Sequence, residues 1–94
     1  MSKKDAYVQK LHAKLDEWNA EIDKLKAKLD AAKADKRAEY QEQIEDLKEK
    51  RKTVEQRAEK LRDAGESAWE DLKKGIENAW ESMENAVKSA KSKF

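Results

Sequence analysis

The side chains that could do chemistry are few and scattered. His12 is the sole histidine, and Asp16 lies one helical turn after it, a spacing that lets both reach one metal ion from a single helix face. A structural zinc site takes about four ligands, and the chain supplies no cysteine and no second histidine. His12 is therefore read as a solvated flank residue, with no metal expected. No Glu-x-x-His pair of the di-iron type is present. The two glycines, Gly65 and Gly75, stand alone and form no phosphate-cradling loop. Carboxylates abound, but their spacing places them on wetted helix faces, where nothing would shift a pKa toward acid–base work. No catalytic residue and no cofactor are expected, and the chain reads as not an enzyme.

The aromatic residues carry more information. Trp18, Trp69 and Trp80 all fall on apolar stripes with helical spacing, so a core role is the first reading. The alternative is that residues 67–94, an amphipathic segment with aromatics near its polar border, lie on a lipid membrane or granule surface. Against this, the five lysines of residues 65–94 are offset by six acidic side chains.

These residues must be positioned by helices. Of 94 residues, 46% are charged and 37% hydrophobic; proline is absent, and Ala, Glu, Lys, Leu, Gln and Arg dominate. Such a composition excludes a turn-rich sandwich or barrel. Net charge is +1 with the signs interleaved, so the broad cationic field that nucleic-acid binding requires is missing, and no nucleic-acid partner is expected. The opening MSKKDAYVQK lacks the apolar stretch of a signal segment, and no run approaches the roughly 20 apolar residues of a membrane span. A cytoplasmic location is the expectation.

Residues 8–35 divide into four heptads: VQKLHAK, LDEWNAE, IDKLKAK and LDAAKAD. Val8, Leu15, Ile22 and Leu29 take position a, and Leu11, Trp18, Leu25 and Ala32 take position d. The stripe resumes at Tyr40, Ile44, Leu47, Val54, Ala58 and Leu61, one residue out of phase, and nothing between Asp30 and Tyr40 is a breaker. One extra residue resets the angular drift of a heptad repeat. The reading is a single helix over 4–63, about 90 Å long, with a three-helix bundle turning near Asp35 as the alternative. A turn follows at 64–67, where Gly65 suits a left-handed helix end and Ser67 with Glu70 has capping-box spacing. A return helix over 68–92 presents Trp69, Leu72, Ile76, Trp80, Met83, Val87, Ala90 and, beyond its end, Phe94.

If the chain reverses about Gly65, Leu61 meets Trp69, Val54 meets Ile76, Leu47 meets Met83, Ile44 meets Val87 and Tyr40 meets Ala90. Arg51 falls opposite Trp80, a cation–π geometry. The flank of Ala68, Gly75, Ala79 and Ala86 would admit close backbone approach. Glu70–Lys74 and Glu84–Lys88 have the i,i+4 spacing of helix-surface ion pairs.

The return helix covers only about 40 Å. Val8, Leu11, Leu15, Trp18, Ile22, Leu25 and Leu29 are then left without a partner in their own chain, forgoing on the order of 10 kcal/mol of apolar burial. A second copy or a partner helix is expected to cover them. An antiparallel homodimer is favoured, because it pairs Lys14 with Asp35 and Glu21 with Lys28 across the interface.

The stretches YVQKLHAKLDEWNAEIDKLKAK (7–28) and SAWEDLKKGIENAWESM (67–83), with AKSKF at the end, resemble the small bacterial coiled-coil proteins known as stress-response proteins. That resemblance implies a cytoplasmic, non-enzymatic protein with no established biochemical activity and no catalytic residue to carry over. The hydrophilic surface is also similar to that of desiccation-type proteins, which usually lack tryptophan-bearing core stripes. The expected fold is all-α: one helical unit over 1–94, a long helix followed by a shorter antiparallel one. Such a helical hairpin or coiled coil would be oligomeric and serve structure and interaction.

Overall fold

A computed structural model describes residues 3–65 and 67–93. Among them the regular structure is entirely helical: α1 (Lys3–Ala31), α2 (Ala34–Asp63) and α3 (Trp69–Lys93). Helix formers fill all three, and each carries acidic side chains in its first turn: Asp5, Asp35, and Glu70 with Asp71. Lys28, Lys60 with Arg62, and Lys91 with Lys93 occupy the last turns, as the helix dipole favours.

The single helix expected over 4–63 is interrupted. Ala32 and Lys33 leave helical geometry, with Lys33 at φ −70° and ψ 155°, and the chain doubles back. The bend has no side-chain cap. Backbone bonds close it instead: Ala32 N–H donates to the Leu29 carbonyl at 3.1 Å, and Lys36 N–H to the Lys33 carbonyl at 2.9 Å. The energetic reason is the unpartnered ridge. Interrupting the helix forfeits a few backbone hydrogen bonds, each worth a net ~0.5–1.5 kcal/mol. Folding α1 back buries Leu11, Leu15, Trp18, Ile22 and Leu25, at ~1.5–3 kcal/mol per large side chain.

The second connection differs from expectation in detail. Ala64 is the C-cap of α2, in extended geometry at φ −75° and ψ 148°, and Gly65 has no positive φ. Gly65 is therefore not a left-handed terminator. The turn closes when the N–H groups of Ala68 and Trp69 both donate to its carbonyl, at 3.1 and 3.3 Å. Phe94 lies outside the described residues.

The result is an up-down-up arrangement. α1 and α2 run antiparallel: Lys4 Nζ donates to the Ala64 carbonyl at 2.7 Å, and Arg51 Nη1 to Asn19 Oδ1 at 2.7 Å. α2 and α3 run antiparallel, with the Arg57 guanidinium donating to the Gly75 carbonyl. α1 and α3 are parallel, tied by Lys14–Glu84 at 2.6 Å and Lys91–Glu21 at 3.4 Å. The rod measures 51 × 19 × 19 Å, with a radius of gyration of 15.3 Å, against about 12 Å for a spherical domain of this length. Its core is one continuous apolar cluster. No described helix is long and apolar enough to cross a membrane.

Candidate functional site

The residues assigned to a second chain lie in the core of one chain. Leu11, Leu15, Trp18, Ile22 and Leu25 are buried, and Val8 and Leu29 are half-buried against them. The premise that this ridge outruns its own polypeptide is thus corrected: α2 covers it once the bend forms. Of the residues assigned to the return-helix core, Ile44, Leu47, Val54, Leu61, Trp69, Ile76, Met83 and Val87 are buried, joined by Ala58, Ala86 and Ala90. Tyr40, Leu72 and Trp80 pack half-buried at its edge.

Several expected pairings are replaced. Arg51 bonds Asn19 on α1 and sits 3.5 Å from Glu55, an ion-pair distance, instead of stacking on Trp80. Lys14 and Glu21, assigned to inter-chain pairs, find Glu84 and Lys91 within the chain. Glu84 thereby turns toward α1 and away from the expected pair with Lys88. Ala68 is exposed, and a Cβ at Gly75 would touch only the flexible Arg57 guanidinium at 3.7 Å, so these two positions are not close backbone contacts, whereas Ala86 is buried and Ala79 packs against the core. His12 is exposed, with Nε2 3.4 Å from Arg62 Nη2. Among the described residues, no group of three or more His, Asp or Glu could hold a metal ion.

The three seams of the bundle differ in chemistry. The α1–α2 groove is polar, edged by His12, Asp16, Asn19, Glu55, Glu59 and Arg62. The α2–α3 groove is edged by Lys50, Thr53, Arg57, Asn78 and Ser82. The α1–α3 seam holds the aromatics. Tyr7 and Trp69 lie with ring centroids 6.2 Å apart, and Trp18 meets Trp80 edge-on at 5.7 Å and 78°. These two pairs sit three turns apart on both helices, so the parallel helices hold the same register at each. Lys73 Nζ lies 5.2 Å from the Tyr7 ring centroid and 5.7 Å from that of Trp69, a shared cation–π contact. Bulky rings keep these two backbones apart and leave an open groove of about 480 Å³, with Tyr7 and Trp80 in its wall and Lys10, Glu77, Glu81 and Lys88 at its rim.

Tyr7 is the residue that heptad counting missed. It precedes the first heptad but lies one turn before Leu11, and that i,i+4 relation was the available signal. Burial raises its phenol pKa above the usual value, and the charge of Glu77 raises it further. Lys14 is also raised, chiefly by its hydrogen bond to Glu84 and then by that to Glu17. Both shifts move away from neutrality, so each group keeps its proton at pH 7 and offers a fixed donor. A small cavity of about 50 Å³ beside Leu25, Leu47 and Val87 has room for little more than a water molecule. The groove thus combines aromatic side chains in its wall with mixed charge at its rim. No protein-family model, curated protein or solved structure matches the chain.

Proposed function

We propose that this chain is a non-enzymatic structural and interaction protein that works by pairing helices, with a second copy of itself as the favoured partner and another protein's helix as the variant. The resemblance of residues 7–28 and 67–83 to small bacterial stress-response proteins supports cytoplasmic stress tolerance as the setting of that pairing. The observation that carries the reading is the distribution of apolar side chains. Among the described residues they form one continuous cluster along all three helices, and the α1–α3 seam keeps the aromatic side chains of Tyr7 and Trp80 in the wall of an open groove. Sedimentation equilibrium over a wide concentration range tests it. The expected outcome is reversible growth of species heavier than the 10.9 kDa chain. A single species of chain mass at every concentration removes self-association.

The lipid- or granule-surface reading of residues 67–94 has one supporting observation. α3 segregates its apolar residues, including Trp69, Ile76, Met83 and Val87, to one face more sharply than α1 or α2 does. That face is turned into the core, so surface binding requires α3 to swing out. Co-sedimentation with anionic vesicles, compared between wild type and Trp69→Ala/Trp80→Ala, decides it: binding lost in the variant supports this reading, and no wild-type binding ends it.

A further inference from the structure

The α1–α2 pairing has a centre of symmetry that does not coincide with the bend. Leu11 and Leu61, Trp18 and Val54, and Leu25 and Leu47 are each equidistant from Lys36, and all six are buried. Leu25 and Leu47 line one cavity. The bonded pair Asn19–Arg51 and the contact His12–Arg62 fall within a residue of the same centre, while the bonds from Lys4 to the Ala64 and Arg62 carbonyls fall two and three residues nearer the bend. The bend, however, lies at Ala32–Lys33. α2 therefore overhangs the end of α1, and every residue from Lys33 to Glu39 is exposed. Two straight helices crossing antiparallel near residue 36 would place the same buried layers between chains.

The bend is closed by backbone hydrogen bonds and by the burial of α1, and no residue within it enforces it. Ala31, Ala32, Lys33 and Ala34 are good helix formers, no glycine or proline intervenes, and no side chain caps α2. Straightening it restores the missing backbone bonds of one continuous helix. Short connections of this kind favour exchange of identical elements between copies.

We propose that two copies of this chain exchange α1 through the Ala32–Lys33 hinge. This deepens the self-association reading above and rests on it. In the exchanged dimer each chain has one helix over about 3–63, roughly 90 Å long. The α1 of each copy seats on α2 and α3 of the other with the layers it makes in the closed form. Lys33–Glu39, bare in the closed form, then cross their counterparts. The opposing feature is Lys36, which meets Lys36 of the second copy at the twofold, so added salt favours the dimer.

Two variants read this directly. Lys33 already has proline-compatible backbone angles, and Ala32 before it lies outside both helices. Lys33→Pro therefore fits the bend but breaks a continuous helix. It should lower the dimerisation constant by about a hundredfold or more while keeping the helical circular dichroism of the monomer. In the second variant, His12→Cys/Arg62→Cys, the only thiols are the introduced ones, at exposed neighbouring positions. After concentrated refolding in high salt, a short bis-maleimide should join them between chains, doubling the mass on a denaturing gel. A dimer that carries only within-chain links, or that persists unchanged in Lys33→Pro, overturns the exchange and leaves self-association standing. A monomer under all these conditions overturns both.

Discussion

Tyr7 carries a hydroxyl into the α1–α3 seam, where it is buried without a hydrogen-bond partner among the described residues. A buried unsatisfied hydroxyl is destabilising, so Tyr7→Phe should leave stability unchanged or raise it by up to about 1 kcal/mol in urea unfolding. A clear loss would show that the hydroxyl is bonded in solution. Tyr7 and Lys14 also set an alkaline limit. Both hold their protons more tightly folded than unfolded, so their contribution is complete below pH ~10 and falls as pH rises from there through the raised folded values. Thermal melts should drop in that window, and Tyr7→Phe should flatten the drop; an unchanged slope would assign it elsewhere. Lys14 is partly exposed, and its pair with Glu84 is worth under ~1 kcal/mol, so Lys14→Ala should change the slope less.

At the scale of the elements, the glycines and the bend make opposite points. Gly65 has no positive φ and nothing within 4 Å of a would-be Cβ, and Gly75 lies inside α3 beside a movable guanidinium. Neither position needs glycine. Gly65→Ala and Gly75→Ala should each stabilise by about 0.5–1 kcal/mol, the first through the unfolded chain and the second through helix propensity. A destabilising Gly75→Ala would mean that Arg57 cannot yield. The bend at Ala32–Lys33 was legible only indirectly. Its residues are all helix formers, and the one-residue phase slip between Ala32 and Tyr40 fits a continuous helix as well as a break. The more telling sign was the gap in the stripe: between Leu29 and Tyr40 no apolar residue is larger than alanine. A turn can sit there without exposing anything that should be buried.

For the whole molecule, the continuous core makes truncation costs follow burial and not sequence position. Leu47, at 0% exposure in the middle of the rod, should lose about 2–5 kcal/mol as Leu47→Ala. Half-buried Leu29 should lose distinctly less as Leu29→Ala, and equal losses would mean that α1 is covered along its full length in solution. The sequence alone determined that the chain is all-helical and which face of each helix is apolar, because side-chain period is a local property of the backbone. Val8 to Leu29 were read as a ridge for another chain and Trp69 to Val87 as core; Leu11, Leu15, Trp18, Ile22 and Leu25 lie buried in one chain with Trp69, Ile76, Met83 and Val87, while Leu72 and Trp80 are half-buried. What covers the ridge was decided only by the tertiary structure. The free energy gained is nearly the same whether Leu11, Trp18 and Leu25 meet α2 of their own chain or another copy. Closing a two-residue bend costs far less entropy than bringing two molecules together, and periodicity records neither cost.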